Sequence, residues 1–330
     1  MKKISAMRIT AIITLVFSTS MSCSLNDSES LPSGDTPIAG IVSKEANLST
    51  LAVALERANL NAPLNGVGSF TLLAPTNAAF DAFLSTNGYG SVADIPIETL
   101  QQLLRNHVFS GRIEAASMTA LKRSYLVSAA DGPSTGSFLS TYFDATNGII
   151  FNGTSKITQA DISATNGIVH IVDDVIDFPT LDTFISVDGN LADMEAALEI
   201  VAAQSDLPGM LADAEAGPFT IFAPINPAFD NLLDSNDSWT TLSDIDETYL
   251  TSIMEHHVIL GNIRAADINL GDTKTTLEGD DITFSSLDGS LKIKDGAGNG
   301  GAVVGIFNIQ AVNGVIHLLL SQVLLPDTTN

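Results

Sequence analysis

The chain is predicted to be an α+β protein made of two tandem copies of one domain, each beginning with helices and ending with strands. Three observations carry this. The segment "FTLLAPTNAAF" (Phe70–Phe80) returns as "FTIFAPINPAF" (Phe219–Phe229), and Gly68–Leu84 matches Gly217–Leu233 at 10 of 17 positions. Two further segments repeat in the same order: "NHVFSGRIEAA" (Asn106–Ala116) as "HHVILGNIRAA" (His256–Ala266), and "NGIVHIVDDVIDFP" (Asn166–Pro179) as "NGVIHLLLSQVLLP" (Asn313–Pro326), at offsets of 149, 150 and 147 for the three. Within each copy, apolar residues spaced by three and four give way to β-branched stretches between Asn-Gly and Asp-Gly turns. A period of roughly 140 residues is too long for a solenoid, and a chain of 330 residues holds two domains of ordinary size.

Residues 1–22 read as a lipoprotein-type signal peptide. Lys2, Lys3 and Arg8 precede a short apolar run, Ile9–Phe17, too short to span a membrane. The stretch "STSMSC" ends at Cys23, the chain's only cysteine, and resembles the cleavage box of bacterial lipoproteins; Ser22 is suitably small, whereas Ser20 stands where an aliphatic is usual. Lipidation of Cys23 would give stable membrane attachment. Residues 23–37, rich in Ser, Asp, Glu, Pro and Gly, read as a flexible tether.

The first domain is expected over 38–178 and the second over 181–325, with 326–330 as a tail. Each begins with a helical stripe: Leu48, Leu51, Ala52 and Leu55, or Leu191, Met194, Ala197, Leu198 and Val201. A short strand follows, Phe70–Leu73 or Phe219–Phe222, ended by "AP" because proline cannot donate to a ladder. Asn77 and Asn226 are expected to cap the next helix, with Pro227 at its first position. A further helix holds Leu100, Leu103, Leu104 and His107, or Tyr249, Leu250, Ile253, Met254 and His257, bounded by Gly111 or Gly261. The remainder reads as strands. Asn166-Gly167 and Asn313-Gly314 mark tight hairpin turns in which glycine accepts positive φ, and the mostly apolar strand after each is expected to be covered on both sides. Pro179 marks a link short enough to favour a fixed arrangement of the two domains.

Net charge is −24, from 14 basic and 38 acidic residues. Such a field repels nucleic acid and anionic membrane surfaces and tolerates cations and neutral sugars. It is uneven: 7 basic against 12 acidic residues over 38–178, but 4 against 22 over 181–325, so the copies are free to meet different partners. One cysteine excludes an internal disulfide.

The repeated segments resemble the signatures of the fasciclin (FAS1) domain: "FTLLAPTNAAF" and "FTIFAPINPAF" its first, "LLRNHVFSG" and "IMEHHVILG" its central histidine region, "NGIVHIVDDVI" and "NGVIHLLLSQVLLP" its closing one. The resemblance implies a β-sandwich or wedge with packed helices, no catalytic apparatus and no cofactor. It implies a surface-anchored or extracellular adhesion protein whose partner is a surface or matrix protein or a polysaccharide. The membrane would be met only through the lipid on Cys23, at the outer membrane, with secretion if Cys23 is not lipidated. The alternative function is a glycan-binding accessory protein for polysaccharide capture or biofilm. Asn106 and His256 stand where the family often has an aromatic, and the second copy has Leu320 and Ser321 where the first keeps Asp173 and Asp174.

The candidate site residues follow. His107 and His170, matched by His257 and His317, are read as core histidines bonded to backbone carbonyls; two histidines per copy are too few for a typical structural zinc site. There is no HExxH and no ordered serine–histidine–acid pattern. His256 has no histidine counterpart and is expected to face away from the shared position, toward solvent. The acids of "LEGDDITF" and "DGAGNGGA" do not follow EF-hand spacing, and "GAGNGG" reads as a flexible hairpin loop. No metal is assigned. Trp239, the only tryptophan, is the best single candidate for a ligand contact, with packing beside Leu242 as the competing role.

Overall fold

The computed structural model describes residues 34–328. The signal peptide, Cys23 and most of the tether lie outside the described residues. Thr36 already belongs to the packed domain, its carbonyl accepting the Thr165 N–H at 3.1 Å.

In the first copy three short helices, α1 (Ile38–Lys44), α2 (Ser49–Arg57) and α3 (Asn61–Asn65), lead into β1 (Phe70–Pro75). The strand runs two residues further than the sequence reading placed it, with Pro75 as its last member, where a missing N–H costs least. Then come α4 (Asn77–Thr86), α5 (Ile97–Asn106), β2 (Val108–Ser110) and α6 (Ala115–Leu121). Leu100, Leu103 and Leu104 of α5 are fully buried, as are Leu51, Ala54 and Leu55 of α2. These faces pack with Phe80 and Leu84 into one apolar cluster over the sheet. The strands β3 (Arg123–Asp131), β4 (Phe138–Asp144), β5 (Ile150–Phe151), β6 (Ser155–Ala164) and β7 (Gly167–Val172) complete the copy.

β7 lies parallel to β1, Phe70 opposite Gly167 and Pro75 opposite Val172, and every residue of β7 is buried. β1 also pairs antiparallel with β2, so the two motif strands sit at the centre of the domain. The sheet closes on itself: a single register pair, Phe109 opposite Ser128, joins β2 to β3 and makes a seven-stranded barrel.

The second copy repeats the plan with α7 (Leu181–Val187), α8 (Ala192–Val201), α9 (Leu207–Ala212), β8 (Phe219–Pro224), α10 (Asn226–Leu233), α11 (Glu247–His256) and β9 (Val258–Leu260). Its strands β10 (Thr273–Thr275), β11 (Asp281–Leu287), β12 (Ser290–Lys294), β13 (Ala302–Ala311) and β14 (Gly314–Leu319) follow. Here the sheet is open, in the order β10-β11-β12-β13-β14-β8-β9. The counterpart of α6 is a single 3₁₀ turn, Ala265–Asp267. Among the described residues no single helix is long and apolar enough to cross a membrane.

Candidate functional site

Asn77 and Asn226 do not cap the helices they begin. Thr76 occupies the cap of α4, its Oγ1 accepting the Ala79 N–H at 3.2 Å, and Ile225 occupies the cap position of α10. The asparagines reach back to an earlier helix instead. Asn77 Oδ1 accepts the Thr50 N–H at 2.9 Å, while Nδ2 donates to the Ala46 carbonyl and to Ser49 Oγ, both at 3.0 Å. Asn226 Oδ1 accepts the Asp193 N–H at 3.1 Å and Nδ2 donates to the Gly189 carbonyl at 2.9 Å. The reason lies in α2 and α8. Their cap positions hold Leu48 and Leu191, buried in the core and without a side-chain acceptor, so the orphan amide is served from another element. Asn77→Ala is therefore expected to cost about 1–2 kcal/mol by uncapping α2; urea midpoints of N77A and of T76A, which uncaps α4, should be lowered separately and add.

Asn166 and Asn313 stand in the turns before β7 and β14, but their side chains act at long range. Asn166 Oδ1 accepts the Ile38 N–H at 2.9 Å, and Nδ2 donates to the Leu64 and Gly66 carbonyls at 2.8 and 3.0 Å. Asn313 repeats this with Leu181, Leu211 and Asp213 at 2.9, 2.9 and 3.0 Å. Each buried amide thus ties the first helix of its copy and the end of the third to the closing hairpin. Gly167 and Gly314 sit at φ +152° and +156°; a Cβ there would lie 1.9 Å from the Phe70 carbonyl oxygen and 2.2 Å from that of Phe219.

The four paired histidines are almost wholly buried. His107 Nε2 accepts the Ile176 N–H at 2.9 Å, so the ring proton is on Nδ1, which donates to the Leu103 carbonyl at 2.8 Å. His257 does the same between Leu324 and Ile253, at 2.9 and 2.7 Å. His170 and His317 take the other tautomer. Their Nδ1 atoms accept from the backbones of Asp161 and Asn308 at 3.2 and 3.4 Å, and Nε2 donates to the carbonyls of Ile113 and Ile263 at 2.8 and 2.9 Å. Burial lowers all four: His107 and His317 to about 4, His257 to about 3, and His170 in the same direction. Among the described residues no hydrogen bond joins the two rings of a copy, and both nitrogens of every ring are engaged by backbone groups.

His256 does not face solvent; it is fully buried. It ends α11 as Asn106 ends α5, and both side chains turn inward, Asn106 to the closing segment of its copy and His256 to the loops after β10 and β12. Asn106 Nδ2 donates to the Ile176 and Asp177 carbonyls, both at 3.2 Å. His256 Nε2 accepts the Gly296 N–H at 3.3 Å, and Nδ1 lies 3.3 Å from both Glu278 Oε2 and Thr276 Oγ1. His256, Glu278 and Asp280 bring ligand-type atoms within 4.8 Å of one another. The acids already accept protein N–H groups: Glu278 Oε2 from Asp280 at 3.1 Å, Asp280 Oδ2 from Asp327 at 2.7 Å. Asp295 likewise holds the glycine-rich loop, accepting from Asn299 and from the Leu325 N–H at 3.0 Å. The cluster ties the tail to the sheet.

Trp239 is half-buried, its ring 6.4 Å from that of Tyr249, and it packs on the edge of the second core. Tyr89 occupies the matching place in the first copy, also packed on its core.

The two copies are joined along a polar seam that the repeat alone does not reveal. Gln310 of β13 is buried; its N–H donates to Ser140 Oγ of β4 at 2.9 Å, and Nε2 donates to Asn262 Oδ1 at 2.7 Å and the Gly314 carbonyl at 2.6 Å. Asn262 Nδ2 donates to Ser134 Oγ at 2.8 Å, and Arg264 Nη1 donates to the Gly136 carbonyl at 3.0 Å. Tyr125 of β3 packs edge-on against Phe184 of α7 and donates its hydroxyl to Asp188 at 2.8 Å. Tyr142 of β4 is buried in the second copy's core rather than its own.

The fasciclin domain profile matches residues 46–179 and 192–326. Human periostin is 29% identical over 278 residues, covering 83% of this chain and 30% of periostin, so the chain spans about a third of that relative's length. The immunogenic protein MPB70 of Mycobacterium bovis is 35% identical over 112 residues, covering 34% of this chain and 51% of MPB70. A solved FAS1 domain pair from the insect cell adhesion molecule fasciclin I aligns with TM-score 0.48 and 17% identity, over 84% of this chain and 94% of that one.

Proposed function

We propose, from the premise that this chain belongs to the fasciclin domain family, that it is an exported surface adhesion or matrix-interaction protein held to the outer membrane by a lipid on Cys23. Fasciclin domains are non-catalytic adhesion modules, and the chain carries two. One observation supports the reading most: the duplicated motif is spent inside the fold. Its asparagines and histidines bond backbone groups, and the four histidine rings are at most 1% exposed, so the motif presents no reactive group to a substrate. Recognition is left to the outer surface of a domain pair joined by side-chain hydrogen bonds.

The test is an array of matrix proteins, intact bacterial surfaces and polysaccharides, probed with Ser24–Asn330 with and without calcium. Binding to proteins or cells is the expected result; indifference to all of them would sink the reading. On cells, Cys23→Ser is expected to move the full chain from the membrane fraction to the medium, and retention would remove the lipid anchor from it.

A further inference from the structure

Seven asparagines stand directly before a glycine: Asn65, Asn87, Asn147, Asn152, Asn166, Asn299 and Asn313. The pair carries a chemistry of its own. The glycine amide nitrogen can attack the asparagine side-chain carbonyl, because no Cβ on the glycine hinders the approach. A C–N bond closes a five-membered ring, and ammonia leaves from Cγ. Water then opens the ring at either carbonyl, giving aspartate or isoaspartate and one new negative charge. The reaction needs a side chain free to turn onto the following amide, and a means of removing that amide's proton.

The fold restrains six of the seven. Asn166 and Asn313 are buried, and each side chain holds three backbone groups. Asn152 Oδ1 accepts the Tyr142 N–H at 2.9 Å, Asn299 Nδ2 donates to Asp295 Oδ2 at 2.8 Å, and Asn87 Nδ2 donates to the Phe83 carbonyl at 2.9 Å. Asn65 ends α3, where the Gly66 N–H is spent on the Pro63 carbonyl at 3.1 Å. Asn147 differs. It is exposed in the turn between β4 and β5, and its side chain makes no hydrogen bond among the described residues. A second observation bears on the proton. Lys156 of β6 lies across Gly148: a Cβ built on that glycine would stand 3.1 Å from Lys156 Cε and 3.7 Å from Nζ. Asp144, in the same turn, is already paired with Arg123 at 2.7 Å, and among the described residues no acid pairs with Lys156. A cation at this range favours the amide anion that attacks.

We propose that Asn147-Gly148 is a self-modifying site, which converts to aspartate or isoaspartate in the folded protein, with Lys156 easing loss of the Gly148 amide proton. The change falls where the copies meet. Thr146, Asn147 and Gly148 line one groove with Ser186 and Val187 at the end of α7, so each conversion places a carboxylate on a surface that both copies build. The site stands apart from the adhesion reading and does not depend on it.

Ser24–Asn330 is incubated at mildly alkaline pH, sampled over days and digested, and each asparagine peptide is followed by mass spectrometry. Asn147 is expected to convert at least about tenfold faster than Asn166 and Asn313, whose side chains are released only by local opening. In urea that difference is expected to collapse, because all seven share the same local pair. Asn147→Gln is expected to abolish the fast event, since the longer side chain closes a six-membered ring far more slowly. Lys156→Gln, at an exposed strand position, is expected to slow Asn147 about two- to fivefold and to leave Tm unchanged. Equal rates at Asn147 and the two buried asparagines in the folded chain would overturn the site, as would a conversion led by any of the other six. An unchanged rate in Lys156→Gln would overturn the part given to the lysine.

Discussion

Lowering the pH from about 7 to about 5 is expected to remove roughly 6 kcal/mol of stability through His107, His257 and His317. Each ring is held neutral, with its pKa lowered from 6.5 to about 4, 3 and 4 respectively by burial. The sign follows from proton counting. In this interval the unfolded chain takes up a proton at each histidine and the folded chain does not, so stability rises with pH. It is fully present above the unfolded value of 6.5 and is lost as pH falls toward the folded values. Each ring contributes about 2 kcal/mol by pH 5. Protonating a ring also breaks a bond as well as charging it, because the nitrogen that accepts a backbone N–H becomes a donor.

Partly buried acids oppose this. Asp182, Asp193 and Glu195 are raised by burial, so their protonation favours the folded state, as does relief of the −24 net charge. The histidine effect is therefore clearest above the ordinary carboxylate range. Urea unfolding at half-unit steps from pH 7 to 5 measures it. A flat profile would mean that the rings accept protons in the folded state and that their backbone bonds do not hold.

The second large effect belongs to the glycines of the closing turns. Gly167→Ala or Gly314→Ala is expected to cost about 4 kcal/mol or more, enough to unfold one copy. Two penalties combine. The backbone at φ +152° or +156° suits glycine alone, and the new Cβ would meet a backbone carbonyl oxygen at 1.9 or 2.2 Å. That oxygen belongs to Phe70 or Phe219, at the start of the central parallel pair, and cannot swing aside as a side chain would. Gly88→Ala is the comparator: φ is +72° but nothing lies within 4 Å, so only backbone strain of about 1 kcal/mol is expected. Thermal unfolding of the three variants separates the cases, and equal losses would show that close approach at the turn is not what selects glycine.

The duplication, the helices-then-strands order and the family were legible in the sequence because they depend on local period and on residues close together in the chain. The apolar stripes of α5 and α11 fixed which faces became core, and "AP" marked where β1 and β8 stop. What the motif asparagines do was not legible. Asn77 caps a helix that starts 28 residues earlier, and Asn166 bonds an amide 128 residues away; both partners are backbone groups, identical in every residue and invisible in a one-dimensional pattern. His256 was misplaced for the same reason: comparison with His107 could show that its position differed, not that Gly296 and Glu278 were waiting for it. Two fasciclin domains and the core role of the paired histidines were readable from the repeated segments alone. Which distant strands meet was not readable: one sheet closes into a barrel while its twin stays open, and Gln310, Asn262 and Tyr125 join the two copies along a seam. Those features arise where distant strands meet, and local chemistry does not specify which strands will.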